Sequence, residues 1–432
     1  MKAEFFIANR LAFSKDKTFT KTIIRIAIVA IALSITVMIL TNAMISGFKK
    51  EIHSKMFGFW GHIHITDSGI TKSFDAKPIS KNDPFVDEIK KVKSVSYQIE
   101  KKNFFGQTIP DEYDVYKTLG GVDKVQSFIF MPGLLEKGKE FQTIVFKGID
   151  NDFDWQGMER FLISGHQVQK ELGKDDIVVS KYLANKLDIK VNQSVIVSFI
   201  ENKNKIRRKL KVVGIYNTGL EEFDRRFIFG NADKLRPILN WDADQVAGFE
   251  IFVDNIDDNH IINDYIYSEI LPSQFYSETI QQKHPSIFEW LKLQDINETI
   301  ILQLMNVVAI INMMTVLLIL ILERTKMIGT LKAVGATNWF VQKIFIFNAG
   351  FIIFFGILIG NVVGLLLAFL QKKFKFIKLD EANYYLDTAP INIEWSSIFF
   401  INILAFCVVL TFLLIPTFFI NKIKPVQALR FD

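Results

Sequence analysis

"LILILERTKMIGTLKAVGATNWFVQKIFIF", residues 318–347, leaves one apolar run, spends 323–343 on charge and small side chains, and enters another. Met327, Leu331 and Val334 recur there at i, i+4 and i+7, Ile328 widens the apolar face, and Gly335 stands where a helix would end. The spacing predicts a short amphipathic helix held at both ends by membrane spans. Its apolar face requires cover, from the membrane surface or from a cytoplasmic protein. An interfacial helix without a partner is the plainer alternative.

Working outward, four segments have the roughly 20 apolar residues that crossing a bilayer takes. They are 22–46, 300–322, 344–370 and 396–420, each almost free of charge. A chain with 50% apolar and 22% charged residues is therefore read as a membrane protein rather than as several soluble domains. The first apolar run exceeds the roughly 7–15 residues of a signal-peptide core, and "NAMISGFKKEI" offers no small-x-small cleavage site, so it is read as a retained anchor.

Orientation follows from lysine and arginine in the short flanks. The region before and at the start of the first span, the 323–343 connection and the tail together hold 13 basic and 4 acidic residues, whereas 47–299 holds 34 basic and 38 acidic. Both termini and the 323–343 connection are expected in the cytoplasm, with 47–299 on the far side. The excess of positive charge is thus one of topology, and nucleic acid is not invoked.

The expected fold is an α-helical integral membrane protein with four transmembrane helices and a large α+β extracytoplasmic domain between helices 1 and 2. The layout is an interfacial helix over 1–21, a first span over 22–46 and an extracytoplasmic domain over 47–284. A stalk and second span follow over 285–322, then a short cytoplasmic helix over 323–343 and a third span over 344–370. A short connection over 371–395, a fourth span over 396–420 and a tail over 421–432 complete it. In the external domain, 61–66, 141–149, 193–200 and 208–216 alternate as strands do, and 180–189 and 231–241 read as helices capped by Ser180 and Asn231. The stretch 247–270 continues as strand, acidic turn and helix. Ile287, Leu291 and Ile296 are placed near one face of the stalk. The single cysteine, Cys407, cannot form an intramolecular disulfide, so the external domain relies on its core.

No catalytic set emerges. GxxxxGK[ST] is absent, so nothing cradles ATP phosphates in these residues. "DNDFDW" begins like a calcium loop, but Trp155 sits where glycine is required and Phe161 where a bidentate glutamate is required. His62 and His64 alternate on a strand with no third ligand in view, and are read as a structural pair rather than a metal site. Gly356, Gly360, Gly364 and Ala368 form a ladder of small residues in the third span, a helix-packing signal whose partner the sequence leaves open. Asn306, Asn312, Thr36, Thr41 and Asn42 are polar groups that should avoid lipid, and Pro416 should kink the last span. Four spans with a large external domain and no ATP site lack an energy source, which a cytoplasmic ATPase docked on the connecting helix would supply.

Several stretches, in order over essentially the whole chain, carry a family resemblance. They are "FFIANRLAFSKDKTF", "MISGFKKEIHSKMFGFWGHIHIT", "GIYNTGLEEFDRRFIF", "LILILERTKMIGTLKAVGAT" and "IPTFFINKIKPVQALRFD". The chain resembles the LolC/LolE permeases of lipoprotein-releasing ABC transporters, within the FtsX/MacB-like superfamily. The resemblance implies a non-catalytic inner-membrane subunit. It implies a second permease subunit, identical or related, and a separate cytoplasmic ABC ATPase dimer that uses ATP and Mg. Lipoprotein cargo would enter from the outer leaflet and pass to a LolA-like periplasmic carrier. No cofactor would be held by this chain itself.

Under that resemblance Glu323, Arg324, Met327, Ile328, Leu331, Lys332 and Gly335 couple to the ATPase. Met38, Asn42, Met305 and Val308 line the lipoprotein cavity, and Gly356, Gly360 and Gly364 pack helices. The chain departs from many relatives at Asn192–Gln193, where they carry a Gly-Asp turn, and the carrier-binding loop has no motif. A MacB-like efflux permease and an FtsX-like regulator of cell-wall hydrolases are the alternatives. The first usually carries its ATPase in the same chain, and the second has a much smaller external domain.

Overall fold

The computed structural model describes residues 18–70, 77–103, 107–165, 172–201 and 204–423. Most of the interfacial helix expected over 1–21 and of the tail over 421–432 lies outside them. Two compact units result, one from residues up to 51, 289–378 and 388 onward, the other from 52–288 and 379–387.

The first unit is helical. Among the described residues four helices are long and apolar enough to cross a membrane: α1 (Thr18–Trp60), α2 (Pro285–Glu323), α4 (Asn338–Phe374) and the last span, which begins as α5 (Trp395–Phe412). Between α2 and α4 lies the short α3 (Thr325–Ala333). Helices suit this role because every backbone group finds its partner within the segment. Their shared core takes residues at three- and four-residue spacing from each: Ala27, Ile31, Ile35 and Met38 from α1, Met313, Leu317 and Leu320 from α2, Phe345, Ala349 and Ile352 from α4, and Ile401, Ala405 and Val409 from α5. The last span breaks after Phe412 and resumes as Leu414–Thr417 and Phe419–Lys422. Pro416 has no N–H for the carbonyl of Phe412, which accounts for an interruption at this point.

In α2, Ile287 and Leu291 are buried but Ile296 is half exposed. The shared face expected for all three is corrected: nine residues at 100° each place Ile296 opposite Ile287.

The second unit is α+β. Its main sheet has ten strands: β1 (Ile63–Asp67), β2 (Val122–Lys137), β3 (Glu140–Ile149), β4 (Leu162–Ser164), β5 (Asp176–Ser180), β6 (Ser194–Glu201), β7 (Asn204–Tyr216), β8 (Phe227–Asn231), β9 (Gly248–Val253) and β10 (Phe275–Thr279). The path runs β10-β1-β9-β2-β3-β8-β5-β7-β4, and β6 pairs with both β7 and β2. The strands β2, β3, β8, β5, β7 and β6 therefore close on themselves as a small barrel. The long β2 makes closure possible, because one of its edges serves β9 over its first half and β6 over 133–136. The pairs β3–β8 and β5–β7 are parallel.

Alternation along these strands sorts the side chains. Ile144 and Phe146, Ile177 and Val179, Val195, Val197 and Phe199, and Leu210 and Val212 enter one core. The intervening Val145, Lys147, Phe227, Phe229, Phe128 and Phe130 are also buried, on the opposite face. Ser180 caps the helix Lys181–Lys186 by accepting from the Leu183 N–H, and Asn231 caps the turn Ala232–Lys234 in the same way. A ribbon of Ser96–Lys102 and Thr108–Lys117 forms a separate two-stranded sheet.

Candidate functional site

The connecting helix α3 is set off from α2 by Arg324, whose backbone leaves the helical region at φ −101°, ψ 19°. Its far end is a Schellman motif. Gly335 adopts φ +99°, its N–H bonds the Lys332 carbonyl, and the Ala336 N–H bonds the Leu331 carbonyl. Thr337 then caps α4 through the Phe340 N–H. Only Val334–Thr337 separates the two helices.

The sequence pattern located the apolar face of α3 correctly but not its cover. Ile328 is fully buried, and Met327 and Leu331 pack on the core shared by the four long helices. Lys332 bends inward as well, its ammonium donating to the carbonyls of Ile420 (2.5 Å) and Ile423 (2.9 Å) at the end of the last span. Four of the seven residues assigned to an ATPase contact thus have packing or hydrogen-bond partners within the chain. The outward side carries Glu323, Lys326, Thr330, Ala333 and Val334, the last 85% exposed, then Gly335 and Trp339. Arg324 is intermediate. The sequence pattern did not single out the outward Lys326, Thr330 and Trp339, which lie on its polar side, and it counted Val334 on the apolar face. Val334 is the C-cap, where the helical period no longer sets direction.

The small-residue ladder of α4 faces α1. A Cβ on Gly356 would lie 2.7 Å from Ile31 Cβ, one on Gly360 2.7 Å from Ile35 Cβ, and one on Gly364 3.3 Å from Ile39 Cβ. The Thr36 hydroxyl donates to the Gly360 carbonyl at 3.2 Å, so close approach also satisfies a polar group in an apolar seam. The partner helix left open by the sequence is within this chain.

The four residues assigned to a cavity differ in surroundings. Met38 is buried in the helical core, Met305 packs beside it, and Val308 is on an exposed face. Asn42 is buried and donates to Glu298 Oε1 at 2.7 Å.

In the external unit, the face of the barrel opposite the apolar core holds a polar cluster. Lys147 and Glu250 are wholly buried, 2.6 Å apart, and Gln126 donates to the second Glu250 oxygen at 2.7 Å. The Lys147 ammonium also donates to the Phe59 carbonyl at 2.9 Å, and His64 Nε2 lies 2.6 Å from the Trp60 carbonyl. These are the last carbonyls of α1, where a positive charge complements the helix dipole. Burial pulls the Lys147 pKa down and the Glu250 pKa up, each against the attraction of the other. His62 accepts from the Val253 N–H through Nδ1, and burial lowers its pKa to about 4. Among the described residues no cluster has the ligands for a metal ion. The two histidines sit in structural bonds.

Four apolar helices, an α+β domain inserted after the first, and an amphipathic helix between the second and third define a permease of the FtsX/MacB type. Residues 26–254 match the MacB-like periplasmic core domain, and residues 299–425 match the FtsX-like permease C-terminal family. The lipoprotein-releasing system transmembrane protein LolC of Xylella fastidiosa (strain Temecula1) is 21% identical over 94% of this chain and 93% of its own length. LolC of Buchnera aphidicola subsp. Acyrthosiphon pisum is 22% identical over 98% of both chains, and LolE of Haemophilus influenzae 20% over 99% of both. The chain belongs to the LolC/LolE family of FtsX/MacB-like ABC transporter permeases.

Proposed function

We propose that this chain is the non-catalytic membrane subunit of a transporter that extracts lipoproteins from the outer leaflet of a bacterial inner membrane. The observation that carries the reading is similarity to lipoprotein-releasing proteins over nearly their full length and nearly all of this chain. A separate cytoplasmic ATPase dimer supplies ATP hydrolysis with Mg, and a second permease subunit, identical or related, completes the assembly. Extracted cargo passes to a LolA-like periplasmic carrier. The excess of basic residues in the short connections supports cytoplasmic termini and a periplasmic 47–284 domain.

In this reading α3 is the coupling helix, and its contact surface is the outward set Glu323, Lys326, Thr330, Val334, Gly335 and Trp339. Ile328, Met327, Leu331 and Lys332 fix the helix to the spans, so that a push on one side is delivered to the other. Cargo enters beside α1 and α2. The match of residues 26–254 to the MacB-like domain favours efflux as the second reading.

The test reconstitutes the chain with its copurifying ATPase and an acylated lipoprotein, and measures ATP-dependent release to a soluble acceptor. Release supports lipoprotein extraction. ATP hydrolysis with no release to any acceptor overturns it and leaves efflux in first place.

A further inference from the structure

The connection between α4 and α5 does not stay with the helices. Residues 379–387 belong to the external unit, although 378 and 388 on either side belong to the helical one. α1 and α2 also pass from one unit to the other, as unbroken helices. The chain is therefore continuous between the units at a third place, and that place is a loop.

A slack loop transmits no displacement, but this one is not slack. Its arms are zipped: the Leu379 N–H bonds the Asp387 carbonyl at 2.9 Å, and the Ala389 N–H bonds the Ile377 carbonyl at 3.0 Å. At the root stands Gln371, buried in the last turn of α4. It accepts from the Ile377 N–H at 3.0 Å and donates to the Ala389 carbonyl at 3.0 Å. At the tip, the helical turn Glu381–Tyr384 is followed by Tyr385 at φ +59°, a conformation that costs a bulky residue free energy. The Tyr385 carbonyl accepts from the Lys55 ammonium of α1 at 2.9 Å, and Glu381 Oε1 accepts from the Asn217 amide at 3.4 Å. Leu386 is buried.

The loop that receives the tip is equally fixed. The Asp224 carboxylate accepts from the Thr218 hydroxyl at 2.8 Å and from the Gly219 N–H at 3.0 Å. Gly219 stands at φ +71°, and a Cβ there would lie 2.6 Å from Glu381 Oε1 and 3.3 Å from the Tyr385 carbonyl oxygen. Glycine thus serves both the turn and the close approach of the tip. A segment with its backbone bonded at both root and tip opens less readily than an unbonded one.

We propose that residues 377–389 form a strap that delivers movement of α4 to the external unit, with Gln371, Lys55, Asn217 and Glu381 as its positioning residues. The strap rests on the reading of this chain as an ATP-driven permease and requires no particular cargo.

The experiment holds the full chain with its copurifying ATPase in lipid nanodiscs, without lipoprotein. Hydrogen exchange in the external unit is measured with no nucleotide and with ATP plus vanadate. In a Cys407→Ser background, Asn217→Cys and Glu381→Cys are joined by a short bis-maleimide, and the nucleotide-dependent change in exchange should persist. Replacing 379–387 with Gly and Ser should reduce that change at least twofold while ATP hydrolysis continues. Should that variant fail to fold, Gln371→Leu and Lys55→Met should still reduce the change. Glu381→Gln keeps the acceptor and should match the unaltered chain. A strap that only supports the fold would lower the melting temperature of these variants and leave the nucleotide response intact, which overturns the proposal. Loss of the response on cross-linking overturns it too, as does an unaltered chain whose external unit ignores nucleotide. Because no lipoprotein is present, a failed release assay would leave an observed response standing.

Discussion

Lys147 and Glu250 meet at 2.6 Å with neither side chain exposed to solvent, and the lysine also bonds the Phe59 carbonyl at the end of α1. The rings of Phe59, Trp60, Phe130, Phe153 and Phe229 stand 5.3–5.9 Å from its ammonium. Removing one member leaves a buried charge uncompensated. Lys147→Ala should destabilise the external unit by about 3–5 kcal/mol, whereas Lys147→Met combined with Glu250→Gln should cost clearly less. Thermal unfolding of the purified chain, compared across the three proteins, checks this.

Acid should weaken the same unit. Burial lowers the pKa of His62 and His284 to about 4, below the ordinary 6.5, so the fold favours their neutral forms. Their contribution is complete above pH 6.5 and is lost as pH falls from there toward 4, by up to about 1.4 kcal/mol per histidine per pH unit. Asp224 acts in the opposite sense. Burial raises its pKa to about 6, so its contribution grows as pH falls through that value. Burial shifts His64 in the same direction as these two histidines, and Glu250 and Asp152 in the same direction as Asp224, so the histidine part of the change, a drop in the unfolding midpoint between pH 6.5 and 4.5, is isolated by substitution. His62→Gln should flatten the drop; an unchanged slope would contradict the assignment.

The seam between α1 and α4 grades its own mutations. Gly360→Ala places a methyl 2.7 Å from Ile35 Cβ and should cost about 1–3 kcal/mol, while Gly364→Ala meets Ile39 at 3.3 Å and should be mild. Ile35→Ala keeps that Cβ and leaves the Ala32 carbonyl 2.8 Å from the new methyl, so it should not restore Gly360→Ala. Yield and melting temperature in detergent provide the readout.

On α3 the two sides should separate. Ile328→Asp buries a charge in the helical core and should abolish folded protein. Val334→Asp and Lys326→Glu change exposed positions and should leave folding intact while reducing ATPase association and lipoprotein release. Copurification of the ATPase, with circular dichroism as the folding control, distinguishes the two classes.

The spans and the connecting helix were legible because apolar runs and a 3.6-residue period are local signals, and so were the caps at Ser180 and Asn231. The extension of α1 to Trp60 was not, because "GFKKEIHSKMFGFW" mixes lysines with glycine and aromatics and shows no single face. The barrel closure was equally hidden: β2 meets β6 and β9 across long stretches of sequence, and nothing local in residues 122–137 announces pairing with three neighbours. Lys147 sits in "IVFKGI" like any surface lysine of an alternating strand. Only the arrival of Phe59, Gln126 and Glu250 from elsewhere makes it a core residue. The inward turn of Met327, Ile328, Leu331 and Lys332 escaped for a related reason, since periodicity finds an apolar face and is silent about what covers it.

The Schellman end at Gly335 and the cap at Thr337 leave no spare backbone between α3 and α4. The angular phase of the outward side chains is therefore tied to that of the glycine ladder further along. One residue inserted in α4 before Gly356 would turn the ladder by about 100° relative to Val334. A partner still gripping Val334 would then face a helix whose smooth side no longer met Ile31, so the length of this junction is as much a part of the sequence's meaning as the identity of its residues.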